Sequence, residues 1–199
     1  MQEDLKKTTE LTKNSEKKEE KYGIGRRFTN NRGYEFEIIG KCEDDYHYRQ
    51  VKFLNSGYET EVQLTNIQNG TVKDKLSPSV FGVGIVDIDN ATKHPLYKHW
   101  FSMIRRVYDP NYEGYEWYKD VIIDESFYYF SKYIKAVEKL ENYDKLISGE
   151  GDYVIDKDLK SPKDCKMYAP NTISIITRSE NAKEVYQRKY NNGGIYVRF

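Results

Sequence analysis

Two hydrophobic periods follow one another along this chain, and their order limits the fold more than any single motif does. From Tyr34 to Leu64 apolar and polar residues alternate in short runs bounded by turn residues, the pattern of antiparallel strands joined by hairpins. The runs cover residues 34–39, 46–54 and 59–64, set off by Asn31-Arg32-Gly33, Asn55-Ser56-Gly57 and Asn69-Gly70. Farther on, Trp100, Met103, Ile104 and Val107 fall at i, i+3, i+4 and i+7, which puts them on one face of a helix. Phe127, Phe130, Ile134 and Val137 give a second apolar face, in a helix expected from Ser126, its candidate cap, to about Leu140. Strands first and helices after them predict an α+β chain in two parts. The polar stretch from Lys73 to Pro78 and the hinge-like Phe81-Gly82-Val83-Gly84 mark the passage between them near residue 80.

Three hairpin-linked strands form a small meander that is marginal alone and needs a partner surface. In its second strand one face carries Tyr46, Tyr48, Gln50 and Lys52, and the other His47, Arg49, Val51 and Phe53. The alternation separates the faces without saying which is wet. Residues 1–21 are nearly all polar, with short Lys and Glu blocks, and are expected to be a charged arm without fixed structure. Beyond the first helix, Tyr115 to Ile123 reads as a turn into a short strand. Gly149-Glu150-Gly151 breaks the chain before a strand from Tyr153 to Asp158, and residues 192–197 read as a last turn and strand. The expected division is thus an arm at 1–21, a small antiparallel β module at 22–80 and an α+β module at 81–199.

Charge narrows the function classes. The chain carries 32 Lys plus Arg against 32 Asp plus Glu, so no global field draws it to nucleic acid or acidic membranes. Any nucleic-acid surface must come from local segregation. Cys42 and Cys165 lie far apart without C-x-x-C spacing and read as reduced thiols of a cytosolic protein. The N-terminus has neither the basic nor the apolar region of a signal peptide, and no run of residues approaches the length of a membrane helix. A soluble, cytosolic protein is expected, with no membrane partner. The 19 tyrosines can fill a core or form an amphipathic contact surface. The Gly82-x-Gly84 pair is no nucleotide fingerprint, since the third glycine and the following helix are missing.

Several words in the second half carry a resemblance. They are His94-Pro95-Leu96-Tyr97 with Trp100, Met103 and Arg106 downstream; Tyr115 to Ile123; and Phe127 with Phe130. Ile155-Asp156-Lys157-Asp158, Tyr168-Ala169-Pro170-Asn171-Thr172 and Thr177-Arg178-Ser179-Glu180-Asn181 complete them. In this order they resemble a family of phage and prophage HNH-like endonucleases, often fused to a small Apetala-type three-stranded DNA-binding module. The words cover residues 94 to 183, and residues 22–80 look like the companion module more weakly.

The resemblance implies a ββα-metal fold for the second module, a phage origin, double-stranded DNA as partner and Mg²⁺ or Mn²⁺ as cofactor. In an HNH site a general base, usually a His, activates water, and the metal neutralises charge on the leaving oxygen. Here the metal-binding acid falls at Asp156, and Lys157 takes the place of the base. The middle Asn falls at Asn171 or Thr172, and the last ligand at Asn181. Asp156 and Asp158 around a lysine also read as a solvated turn. His94 and His99 are candidate bases from outside the motif, or packed and surface residues. A Lys base needs a strongly lowered pKa, so a weak or silent nuclease site is expected. On the DNA-binding reading Arg26, Arg27, Arg49, Lys52, Arg105, Arg106, Arg178 and Lys183 contact phosphates; the alternative is scattered surface charge. The competing function is a catalytically dead viral protein that binds and inhibits a host defence protein, in the manner of an anti-CRISPR.

Overall fold

A computed structural model of the chain describes residues 21–42, 45–160 and 166–191. The charged arm up to residue 20, the strand expected at 192–197 and Cys165 lie outside the described residues. The chain divides between Ser77 and Pro78 into two compact units, which combine strands and helices as an α+β protein does. Among the described residues no helix is long and apolar enough to cross a membrane.

The first unit is a four-stranded antiparallel sheet in the order β1 (Arg27–Thr29), β2 (Glu35–Lys41), β3 (Tyr48–Phe53) and β4 (Glu59–Gln63). β4 runs directly into a short helix, α1 (Leu64–Gln68). The period of two decides the faces: Phe36, Ile38, Val51, Phe53 and Val62 point inward and form a core with Tyr22, Leu64, Ile67 and Val72. Gln50 and Lys52 face outward. β1 was not expected. It is only three residues long, too short to show an alternation, and it is set by tertiary ties. Asn30, just past β1, is buried and accepts the Arg32 and Tyr34 N–H groups, while its amide donates to Val72 O at 3.0 Å. That one side chain closes the β1–β2 turn and pins the segment after α1. Gly57, at φ +71°, supplies the left-handed residue of the β3–β4 turn, with its N–H on Phe53 O.

The second unit is organised around α2 (Tyr97–Tyr108), whose Trp100, Met103, Ile104 and Val107 are buried as the spacing predicts. They share one core with Phe127, Phe130, Tyr133, Ile134 and Val137. The Trp100 indole is fully buried, donates to Phe127 O at 2.7 Å and lies 5.2 Å from the Phe130 ring. The second helix expected from Ser126 is split. Residues Glu125–Tyr128 form a 3₁₀ turn capped by Asp124, and α3 runs only over Phe130–Val137. The cause is a bridge from outside. Ile85 N–H donates to Tyr128 O and Phe130 N–H to Ile85 O, which holds Tyr129 extended. Asp87 then caps α3 by accepting the Ser131 N–H at 2.9 Å. A third helix, α4 (Tyr143–Ser148), ends at Gly149 in the left-handed region (φ +73°), where glycine pays no Cβ penalty.

Two small sheets complete the unit. β5 (Ile122–Ile123) pairs parallel with β7 (Met167–Tyr168), and β6 (Tyr153–Asp156) pairs antiparallel with β8 (Ser174–Thr177). β8 passes without a loop into α5 (Arg178–Asn191).

Candidate functional site

Two antiparallel strands followed at once by a helix frame the residues singled out by the sequence. Asp156 ends β6 opposite Ser174, the first residue of β8. Asn171 and Thr172 lie in the turn before β8, and Asn181 stands in the first turn of α5. The β8–α5 junction is fixed by a reciprocal cap. Glu180 Oε2 accepts the Thr177 N–H and hydroxyl, each at 2.8 Å, and Glu180 N–H returns to Thr177 Oγ1. Donation from the Thr177 backbone, then its hydroxyl, holds the Glu180 carboxyl below its usual range.

Inside this frame the side chains are already engaged. The buried Asp156 carboxylate accepts the N–H groups of Asp158 and Leu159 through Oδ2, at 2.9 and 2.8 Å, and so shapes the turn that leaves β6. Lys157 is 9% exposed. Its ammonium donates to Asp158 Oδ2 at 2.6 Å and lies 5.9 and 5.7 Å from the rings of Tyr118 and Tyr168. Thr172 staples the loop: its hydroxyl donates to Met167 O at 2.7 Å and accepts the Ala169 N–H at 2.9 Å. Asn171 is exposed and Asn181 partly buried. Opposite Asp156, the buried Ser174 hydroxyl has no hydrogen-bond partner among the described residues.

The candidate phosphate contacts scatter and are mostly neutralised. Arg49 is the clearest departure from expectation. It sits on the inward face of β3, 3% exposed, and its guanidinium donates to the carbonyls of Tyr22, Tyr46 and Tyr48 at 2.8 to 3.0 Å. A guanidinium so enclosed is part of the fold and offers no donor face to a phosphate. Arg27 pairs with Glu37 at 2.9 Å, Lys52 with Glu59 at 2.9 Å, Arg105 with Asp109 at 3.2 Å and Arg178 with Asp152 at 2.7 Å. Arg26 and Lys183 are exposed. The outer face of the sheet also carries Glu35, Glu37, Glu59 and Glu61 beside Arg27 and Lys52, which is a poor surface for a polyanion.

Arg106 is placed differently. It is partly buried on α2, its guanidinium carbon 5.7 Å from the Tyr118 ring centroid, with the Tyr168 and Tyr112 hydroxyls as its other polar neighbours. Tyr112 and Tyr118 meet edge to face at 6.2 Å, and Arg105 stacks over Tyr112. His99, seven residues before Arg106 on the same helix, has its proton affinity lowered by burial and then by the Arg106 charge. His94 is held locally: its Nδ1 accepts the Leu96 N–H, and its ring meets Phe130 edge on at 5.5 Å. Sequence reasoning named Arg106 but missed its tyrosines. Tyr112 and Tyr118 come from the loop after α2 and Tyr168 from β7, and no spacing in the sequence joins β7 to that loop.

One oxygen of Asp156 is spent on two backbone N–H groups, and the next side chain is an ammonium bound to the nearest other acid. Among the described residues no group of three or more His, Cys, Asp or Glu gathers as metal ligands would. No family model matches the chain, and no curated protein or solved structure shows significant similarity to it.

Proposed function

We propose that this chain is a phage HNH-like protein that binds double-stranded DNA and cleaves it slowly or not at all. The observation that carries the reading is the state of Lys157: at the end of β6, where the resemblance sets the general base, stands an ammonium paired to Asp158 and packed against two tyrosines. An ammonium has no lone pair with which to take a proton from water. Loss of a general base typically costs about 10² to 10⁴ in rate. Binding then falls to the exposed Arg26 and Lys183 and to Arg27 and Arg178, whose carboxylate partners a phosphate can replace. The test is supercoiled plasmid with Mg²⁺ or Mn²⁺ over a range of salt. Retention that weakens steeply with salt, with at most slow nicking, is expected; rapid cleavage would overturn the reading.

A second reading, a host defence protein as the ligand, is favoured by the carboxylates that already neutralise Arg27, Lys52, Arg105 and Arg178. Affinity capture from a nuclease-treated bacterial lysate, beside the plasmid assay, separates the two. A stoichiometric protein partner together with no duplex retention at low salt selects this reading.

A further inference from the structure

We propose that Arg106, with Tyr118 and Tyr168, forms a binding site for a compact, doubly charged oxyanion: inorganic phosphate or the terminal phosphate of a nucleotide. The inference does not depend on the chain's being a nuclease relative. It starts from a charge without a counter-charge. Taking a guanidinium partly out of water is costly unless an anion or well-placed acceptors replace the lost hydration. Arg105, one residue earlier, has Asp109. Among the described residues no carboxylate pairs with Arg106, whose polar neighbours are the tyrosines 168, 118 and 112.

An acid at the same rings is already neutralised. Lys157 lies within 6 Å of both Tyr118 and Tyr168 and pairs with Asp158 at 2.6 Å, so that carboxylate does not oppose an anion at Arg106. The tyrosine hydroxyls add donors of the kind an oxyanion accepts. Burial pushes the Tyr168 hydroxyl far above its usual range, so it remains a donor at any physiological pH. The planar fork of Arg106 suits two oxygens of a single phosphate.

Charge nearby selects for size. Glu113, Glu116 and Asp120 are exposed in the loop that carries Tyr112 and Tyr118, with only Lys119 to offset them, through Glu116. These carboxylates repel any anion, and the total grows with each charge a ligand lays along the loop, so a compact dianion at Arg106 is opposed less than a long polyanion.

The molecule carries its own reporter. Of the two tryptophans, Trp100 is fully buried, whereas Trp117 is 80% exposed and adjoins Tyr118. The 199-residue chain would be titrated with sodium phosphate at ionic strength held constant with NaCl, by Trp emission and by calorimetry. Saturable 1:1 binding is expected with phosphate and none with chloride. Arg106→Lys keeps the charge and loses the fork, and should weaken phosphate about tenfold, as expected for loss of one charge-assisted hydrogen bond. Lys98→Gln, an exposed change on the same helix, should leave binding unaltered. A 5′-phosphorylated oligothymidylate that displaces phosphate while its 5′-hydroxyl counterpart does not assigns the site to nucleotide ends; displacement by neither assigns it to free phosphate. No saturable phosphate signal, or wild-type affinity in both Arg106→Lys and Arg106→Gln with unchanged unfolding curves, overturns the proposal. A duplex arm run in parallel bears on the DNA-binding reading alone.

Discussion

Arg49 in the sheet unit and Arg106 in the second unit are both drawn out of solvent, yet their surroundings differ in kind. Arg49 donates to three backbone carbonyls, whereas Arg106 faces aromatic rings and hydroxyls. Carbonyl acceptors complete the first guanidinium, so its charge is used up in holding Tyr22 and the start of β3 in place. Rings and hydroxyls leave the second with a net charge that still favours an anion. A buried cation is thus structural or ligand-seeking according to what surrounds it, and its identity in the sequence does not say which.

The largest effects should come from the two cores and should stay separate. Phe36 and Phe130 are each fully buried, in different clusters. Truncating either to Ala should cost about 3–5 kcal/mol. Both tryptophans belong to the second unit, so in denaturant Phe130→Ala should move the Trp emission midpoint and Phe36→Ala should move only the circular-dichroism transition of the sheet. Coincident shifts in both probes for Phe36→Ala would break the comparison, because the units would then unfold as one.

Next comes the arginine pair itself. Arg49→Ala should destabilise the sheet unit by about 2–3 kcal/mol, since it removes charge-assisted donors from three carbonyls and empties the inward face of β3 of a side chain only 3% exposed. Arg106→Gln, measured without phosphate, should cost less than about 1 kcal/mol, because no buried carboxylate loses its partner. Equal losses in chemical denaturation would show that Arg106 is as structural as Arg49.

The two units also differed in how far the sequence could be read. Alternation through residues 34–64 and the i, i+3, i+4, i+7 stripe at Trp100 report burial directly, because each element turns one regular face to a core. The helix expected from Ser126 broke at Tyr129 because a bridge from Ile85, more than forty residues away, outcompeted local helical bonds. Local periodicity holds no record of such a partner. At the candidate site, Asp156 at a strand end and the Thr177–Glu180 cap follow from short-range rules. The burial of Arg49 was undecidable, since period two separates the faces without choosing between them. The tyrosines around Arg106 and Lys157 were beyond reach because α2, the loop after it, the end of β6 and β7 converge there.

A pH effect should be smaller and confined to the second unit. His99 has its folded proton affinity lowered from the ordinary 6.5 by burial and the Arg106 charge. The unfolded chain therefore binds the proton first as pH falls. Stability linked to His99 is fully present above about pH 6.5 and declines as pH drops through the folded value. His99→Gln should flatten the Trp-monitored unfolding midpoint between pH 7 and 5 relative to wild type, while the sheet transition keeps the same profile in both proteins. Parallel profiles in the Trp channel would mean that other groups set the acid response.

The smallest expected effect tests the solvent face of the sheet. Lys52 and Glu59 form a cross-strand pair with both side chains about half exposed, and such pairs contribute about 0–1 kcal/mol. Lys52→Ala should therefore shift the sheet transition by no more than about 0.5 kcal/mol, against the much larger cost at Arg49 on the opposite face of the same strand. Its value lies in binding. A lysine that contacts a duplex phosphate takes about one unit from the slope of log affinity against log salt when removed. The glutamates around Lys52 already hold its charge, and a phosphate approaching it must pass Glu37, Glu59 and Glu61. We therefore expect the same salt slope for Lys52→Ala and wild type on a short duplex, measured by fluorescence anisotropy. A slope lower by about one would place the sheet's outer face against DNA, with its glutamates displaced toward the rim of the contact.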